Sequence, residues 1–416
     1  MIKSHLQQSQ LLTRLGITAK RVRLCILGLA LSGLLVRLPL TAARTGVLSA
    51  RWSVPINLSN NATLSCCPAI AVDADGATVV AWMEGDNAAQ TAQIYYATLP
   101  AGGSWSVPAN LSGSPGPVDR CAALAADVAG TVHVVWDESS SRVTSTSDIM
   151  YTQRPRGGSW ATPTPATSDF GSSLNPDLAV AADGTVHLVW ENFFNVYHAS
   201  KPLGGPWSAR TNISATPLVA EYAQVAVDGQ GNIYVVWQDD RLSFLHPDIF
   251  FSTRPRSGGA WSVPLNLSNS DIARWPAVAV DGDGVLHVIW SDWSRAHTGL
   301  RYTNKRPGEG WSAPSTVFAG LVSDNDLVAD TAGTIHAVWR LTDTTRIFYA
   351  SRPAGGAWSA AEDISQGVTD VWEPAIALDL QDYPHVVWAH AGEVYYTSAS
   401  PTSSTSVYLP LVLKNY

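Results

Sequence analysis

The sequence predicts an all-β chain folded as a seven-bladed β-propeller of four-stranded blades, with the first strand closing on the last. Three observations predict it. Seven Trp residues open one recurring segment: Trp52, Trp105, Trp160, Trp207, Trp261, Trp311 and Trp358. Their successive spacings are 53, 55, 47, 54, 50 and 47 residues, a period that marks propellers and related repeat arrays. Seven more Trp close an apolar run: Trp82, Trp136, Trp190, Trp237, Trp290, Trp339 and Trp388. The composition agrees, with 46% hydrophobic and only 14% charged residues, 32 Gly and 25 Pro. That mixture suits short buried strands joined by tight turns rather than helices.

The N-terminus reads as an export leader. Basic residues Lys3, Arg14, Lys20, Arg21 and Arg23 precede an apolar run from Leu24 to Val36, and Thr41-Ala42-Ala43 offers a small-residue cleavage site. The run is shorter than the ~20 apolar residues of a spanning helix. Residues 1–43 are therefore expected to be a signal peptide of bacterial export, and 44–399 the propeller. Cleavage leaves 20 basic against 34 acidic residues, a net charge of −14. This excludes nucleic acid or an anionic membrane surface as the main partner. No membrane-spanning segment is expected in the mature chain, and a monomer is expected.

Each unit divides into strands A to D. Strand A is typified by the run from Pro276 to Val280 and strand B by Leu286 to Trp290. Both are apolar at consecutive positions, as expected where both faces are buried between blades. The turn between them carries Gly six residues before the closing Trp in six units: Gly76, Gly130, Gly184, Gly231, Gly284 and Gly333. The seventh has Asp382 there, so that turn is expected to be strained or altered. Strand C is typified by Ile94 to Ala97, and strand D starts at the W-S-x-P segment. The chain opens on an unpaired D strand at Trp52 and ends on A, B and C, so the orphan D can complete the seventh blade. Residues 400–416 follow as a Ser/Thr linker and a short apolar tail that is too short to span a bilayer.

The C–D connections carry a family resemblance. Thr98 to Trp105 (T-L-P-A-G-G-S-W) and Ser351 to Trp358 (S-R-P-A-G-G-A-W) resemble degenerate Asp boxes of sialidase-like β-propellers, with Pro100 and Pro353 in place of the box Asp. The resemblance implies the propeller fold over Trp52 to Ala399. In that family the box is a structural turn remote from the active site. Sialidases hold a carboxylate with three Arg and use a Tyr–Glu pair and an Asp. Arg120, Arg274, Arg340, Glu221, Tyr222 and Asp119 supply these residue types here, without matching the family's motifs position by position.

Subtracting the repeat isolates other candidates. Three Trp lie outside both series: Trp275, Trp293 and Trp372. Strands alternate in direction, so all three fall on the rim formed by the D–A and B–C connections. Exposed indoles there can stack on sugar rings; the alternative is that they wedge between blades. Candidate ligand-binding residues on that rim are Arg120, Arg274, Trp275, Asp292, Trp293, Arg340, Trp372 and Glu373. Candidate catalytic residues are Asp119, Glu221 and Tyr222, although adjacent Glu221 and Tyr222 point to opposite faces of a strand. His133, His187, His287, His336 and His385 recur one per blade and read as core histidines rather than metal ligands. Asp281-Gly-Asp283-Gly284 reads as turn chemistry, and no metal or cofactor is expected. Cys67 and Cys121 fill one slot in neighbouring units and are candidates for a disulfide, with a Cys66–Cys67 bridge as the alternative. The expected function is an exported propeller at or beyond the cell surface that binds a glycan or another extracellular ligand on this rim. A glycoside hydrolase of sialidase type and an adhesion or scaffold module with protein partners are the alternatives.

Overall fold

The computed structural model describes residues 51–61, 63–86, 91–113, 118–139, 147–168, 171–243 and 245–400. The leader expected at 1–43 and the tail at 401–416 lie outside the described residues. Every regular element is a β-strand. No helix among the described residues is long and apolar enough to cross a membrane.

Seven antiparallel blades form the expected propeller. Their A strands are Leu64–Val72, Val118–Ala126, Ser173–Val180, Ala220–Val227, Ala273–Val280, Val322–Ala329 and Val371–Leu378. Each A strand pairs with its B strand, B with C, and C with a short D. The seventh blade comprises Val371–Leu378, Pro384–His390 and Glu393–Ser400, completed by Arg51–Trp52 and Ile56–Asn57 from the chain's other end. Closure is therefore made by the first described strands, as the strand count predicts.

The two Trp series have distinct physical jobs. The closing Trp each stand at the fifth position of a B strand and are fully buried in all seven blades. The opening Trp join the blades. Each packs edge-on against a C-strand ring of the preceding blade: Trp52 on Tyr349 at 5.0 Å, Trp105 on Tyr396 at 4.9 Å, and Trp160 on Tyr96 at 5.4 Å. The same geometry places Trp207 on Tyr151, Trp261 on His198, Trp311 on Phe251 and Trp358 on Tyr302. Such pairs contribute about 0.5–1.5 kcal/mol each beyond burial.

The histidine slot completes this lattice. His133, His287, His336 and His385 each bond a C-strand Tyr hydroxyl, at 2.9, 2.8, 2.7 and 2.6 Å. Their other ring nitrogens face the A–B turn acids Asp127, Asp281, Asp330 and Asp379. His187 instead bonds His198 at 3.2 Å. Four of the five histidines are thus struts from turn to C strand within their own blades, and His187 ties strand B to strand C. The turns themselves adopt one backbone: the six Gly have φ between 76° and 84°, and Asp382 takes φ 63° in the seventh. The short polar side chain of Asp tolerates this left-handed region better than most.

Candidate functional site

A β-bulge recurs in the A strand of every blade. The A–B register shifts between Cys66 and Ala69, Asp119 and Ala122, Leu174 and Asp177, Glu221 and Gln224, Arg274 and Ala277, Ser323 and Asn325, and Trp372 and Ala375. Bulges re-aim side chains. Here they bring one residue per blade to the axis: Cys67, Cys121, Asn175, Tyr222, Trp275, Asp324 and Glu373. Six of them, all but Cys121, have positive φ, between 44° and 54°. For bulky side chains such as Tyr and Trp this conformation is strained, and it persists only where neighbours over-determine it.

Those neighbours are identifiable. The Cys67 N–H donates to Glu373 Oε2 at 2.8 Å, and the Trp275 N–H to Gln238 Oε1 at 3.2 Å. The Tyr222 N–H donates to Glu191 Oε1, whose Oε2 accepts from Asn175 Nδ2 at 3.0 Å. One step further along the strand, Asp177 accepts from the Val225 N–H at 2.8 Å, Gln224 from Val278 at 3.4 Å, and Asp326 from Ile376 at 3.0 Å. The innermost strands have a free edge, and these side chains satisfy its donors from the blade before.

The A strands of all seven blades enclose a cavity of about 580 Å³. Its lining carries four carboxylates (Asp177, Asp324, Asp326 and Glu373) and two aromatic residues (Tyr222 and Trp275), and no Lys, Arg or His. Cys67 and Cys121, on adjoining blades, are joined by a disulfide with Cα atoms 5.0 Å apart. Cys66 remains a free thiol, pushed up to about 12 by burial and then by Glu373.

The expected site residues divide by radial position. Trp275 and Glu373 line the cavity, as does Tyr222. Trp293 packs edge-on to Trp275 at 5.3 Å and donates its indole N–H to Val322 O at 2.7 Å, so it wedges against the next blade. Trp372 stays 48% exposed, with the Arg340 guanidinium 3.5 Å from its ring centroid. Arg340 is buried, bonds Ser323 Oγ at 3.1 Å and lies 3.8 Å from Asp324. Asp292 is buried and accepts the Ser294 N–H at 2.9 Å, which is turn chemistry. Arg120 interacts with Asp137, and Arg274 with Glu221 and Asp240. None of the three Arg lines the cavity. A three-Arg clamp for a sugar carboxylate is not assembled there, because each guanidinium serves acids near its own blade.

The candidate catalytic residues do not form a sialidase-like set either. Burial, then Glu221 and Glu191, push the Tyr222 phenol up to about 12, the wrong direction for a nucleophile. Glu221 is held by Gln238 Nε2 at 2.8 Å and does not line the cavity. Asp119 is wholly buried. Two exposed aromatics were not picked out by the repeat: Phe193 and Phe194, 63% and 68% exposed in the B–C turn of blade three. Their φ values are 46° and 62°. Such turns favour Asn-Gly, so a Phe pair between Asn192 and Asn195 was the available signal.

Several acids are raised by burial. Asp119, Asp137 and Asp177 are pushed up to about 7, and Glu191 to about 8. Each binds its proton more tightly folded than unfolded, so its contribution to stability is present at low pH and lost as pH rises through these values. The core histidines His133, His187, His287, His336 and His385 are lowered by burial, and they oppose folding only below about 6.5. Between about pH 8.5 and 6.5 the acids therefore dominate. The thermal midpoint should rise by a few degrees as pH falls across that interval, read by calorimetry. A midpoint that falls would contradict the assignment.

No protein-family model matches the chain, and no curated protein matches it. Among solved structures it is similar to a protein of unknown function from Dyadobacter fermentans, at 13% identity and TM-score 0.53, spanning 84% of this chain and 98% of that one. It is also similar to a polysaccharide lyase, an ulvan lyase bound to GlcA(1-4)Rha3S, at 11% identity and TM-score 0.55, spanning 83% and 95%. A Hadza microbial sialidase aligns at 15% identity and TM-score 0.49, spanning 82% and 66%. The two likenesses above a TM-score of 0.5 concern the fold alone.

Proposed function

We propose that the chain is an exported binding propeller that takes a glycan on the D–A/B–C rim. One observation carries this reading. Of the four exposed aromatic residues among the described residues, Phe193, Phe194 and Trp372 belong to that rim and Tyr222 lines the cavity it surrounds. Aromatic faces of this kind stack on sugar rings while the strand scaffold holds them in place. Arg340 covers one face of Trp372 and fixes its orientation. A propeller of the same fold, the ulvan lyase, binds a sugar ligand, so the architecture is compatible with the reading.

A hydrolase is the second reading, favoured by Glu191. A carboxyl group raised to about 8 is the kind that serves as a general acid near neutral pH. Both of its oxygens are engaged by Tyr222 and Asn175, however, so binding is placed first. A glycan array combined with fluorogenic glycosides separates the two. Binding without turnover, weakened roughly fivefold to tenfold by Trp372→Ala, is expected from the energy of one aromatic contact. Turnover abolished by Glu191→Gln would move the assignment to the enzyme. Silence in both assays would sink the glycan reading.

A further inference from the structure

The chemistry of the central cavity is one-sided. Its four carboxylates face no basic side chain in the lining, and Arg340, outside the lining, offsets Asp324 alone. Asp177 and Asp326, three blades apart, repel each other, as do Glu373 and Asp324. A further acceptor is unused. Asn325 is 8% exposed and lines the cavity. Its amide N–H groups donate to Trp275 O at 2.9 Å and Ser291 Oγ at 3.1 Å, which fixes the orientation of the amide. Its Oδ1 then has no hydrogen-bond partner. A buried orphan acceptor beside carboxylates of which only Asp324 has a basic partner calls for a ligand that donates hydrogen bonds and carries positive charge.

The remaining walls say what kind of cation. Tyr222 and Trp275 offer aromatic faces, which attract ammonium groups electrostatically. Ile70, Leu124, Val225, Val278 and Ile376 add apolar surface. About 580 Å³ is far more than a bare ion fills and lies within the range of sites for small organic ligands. We propose that this cavity receives the protonated amine of a deacetylated amino-sugar residue, an inference that rests on the glycan reading of the rim and names its substrate class. The uncharged sugar body would then lie toward the aromatic rim, with the ammonium among Asp324, Asp326 and Glu373.

The test compares two trisaccharides that differ in charge, fully deacetylated chitotriose and triacetylchitotriose, by calorimetry at about pH 6.5. The deacetylated sugar should bind at least about tenfold tighter, the scale of one desolvated cation contact. Glu373→Gln with Asp324→Asn should abolish that preference. Asp324→Asn alone, which keeps an acceptor in place, should reduce the preference, and the thermal midpoint of each variant checks its fold. Equal binding of the two sugars, or preference for the acetylated one, would overturn the amine assignment and leave the glycan reading standing. Binding of neither would overturn both. Nα-acetyl-lysine amide binding as tightly as the deacetylated sugar would transfer the cavity to a peptide amine and overturn the amino-sugar assignment.

Discussion

Deleting residues 1–60 should leave a chain that fails to form a monodisperse monomer, whereas deleting residues 1–47 should leave the ring intact. The difference is the first-to-last closure. The Ser53 N–H donates to Ser398 O at 2.9 Å, the Leu58 N–H to Val394 O at 2.7 Å, and Thr397 Oγ1 to Ser53 O at 2.8 Å. Trp52 packs edge-on to Tyr349, and Leu58 is buried against Val387 and Val394. Two buried large side chains contribute roughly 1.5–3 kcal/mol each, and three or four hydrogen bonds about 1 kcal/mol each. The sum, roughly 6–10 kcal/mol, is comparable to the whole stability of a typical domain. The shorter chain would also expose the C strand Glu393–Ser400 as an open edge, a template for association. Size-exclusion chromatography and thermal melts of the two deletions read the difference. Matching midpoints and elution volumes would show that the seventh blade does not need its D strand.

The ring was legible because its determinants repeat. A Trp that recurs seven times within the B strands and another seven times at the opening of the D segments fixes strand number, order and closure before any contact is known. The histidines were legible for the same reason, since one per blade is what an intra-blade strut looks like. The cavity was not legible. Its seven axial residues are Cys, Cys, Asn, Tyr, Trp, Asp and Glu, so no residue type marks the slot. What defines it is the bulge, a backbone event that composition does not announce. The bulge also explains the Arg outcome. Arg120 and Arg274 stand one residue before the axial slots of Cys121 and Trp275, and one residue along a strand reverses the direction of a side chain. Rim position could be read from strand order, but distance from the axis could not. The same offset separates Glu221 from Tyr222 and Trp372 from Glu373, so each pair splits between cavity and rim.

The bridge across the first two slots sets a second large expected effect. Replacing Cys67 and Cys121 together by Ala should lower stability by about 4 kcal/mol, because the bond closes a loop with a sequence separation of 54. For a ring of this size that corresponds to a fall of roughly 6 °C in the midpoint. Reductant should produce a similar fall in the unaltered protein and no further fall in the double variant, which separates loss of the bond from loss of the side chains. Peptide mapping without reduction should recover Cys67 joined to Cys121. Cys66, 3.7 Å from Cys67 Sγ, should stay unreactive to iodoacetamide at neutral pH until the protein unfolds, because burial and Glu373 hold it as a thiol. Free Cys67 and Cys121, or a midpoint unmoved in the variant, would refute the bridge. The bond fills two of the seven axial positions with uncharged sulfur, and Glu373 adjoins it through the Cys67 N–H. A bond of this kind persists in oxidising compartments, which accords with the proposed export.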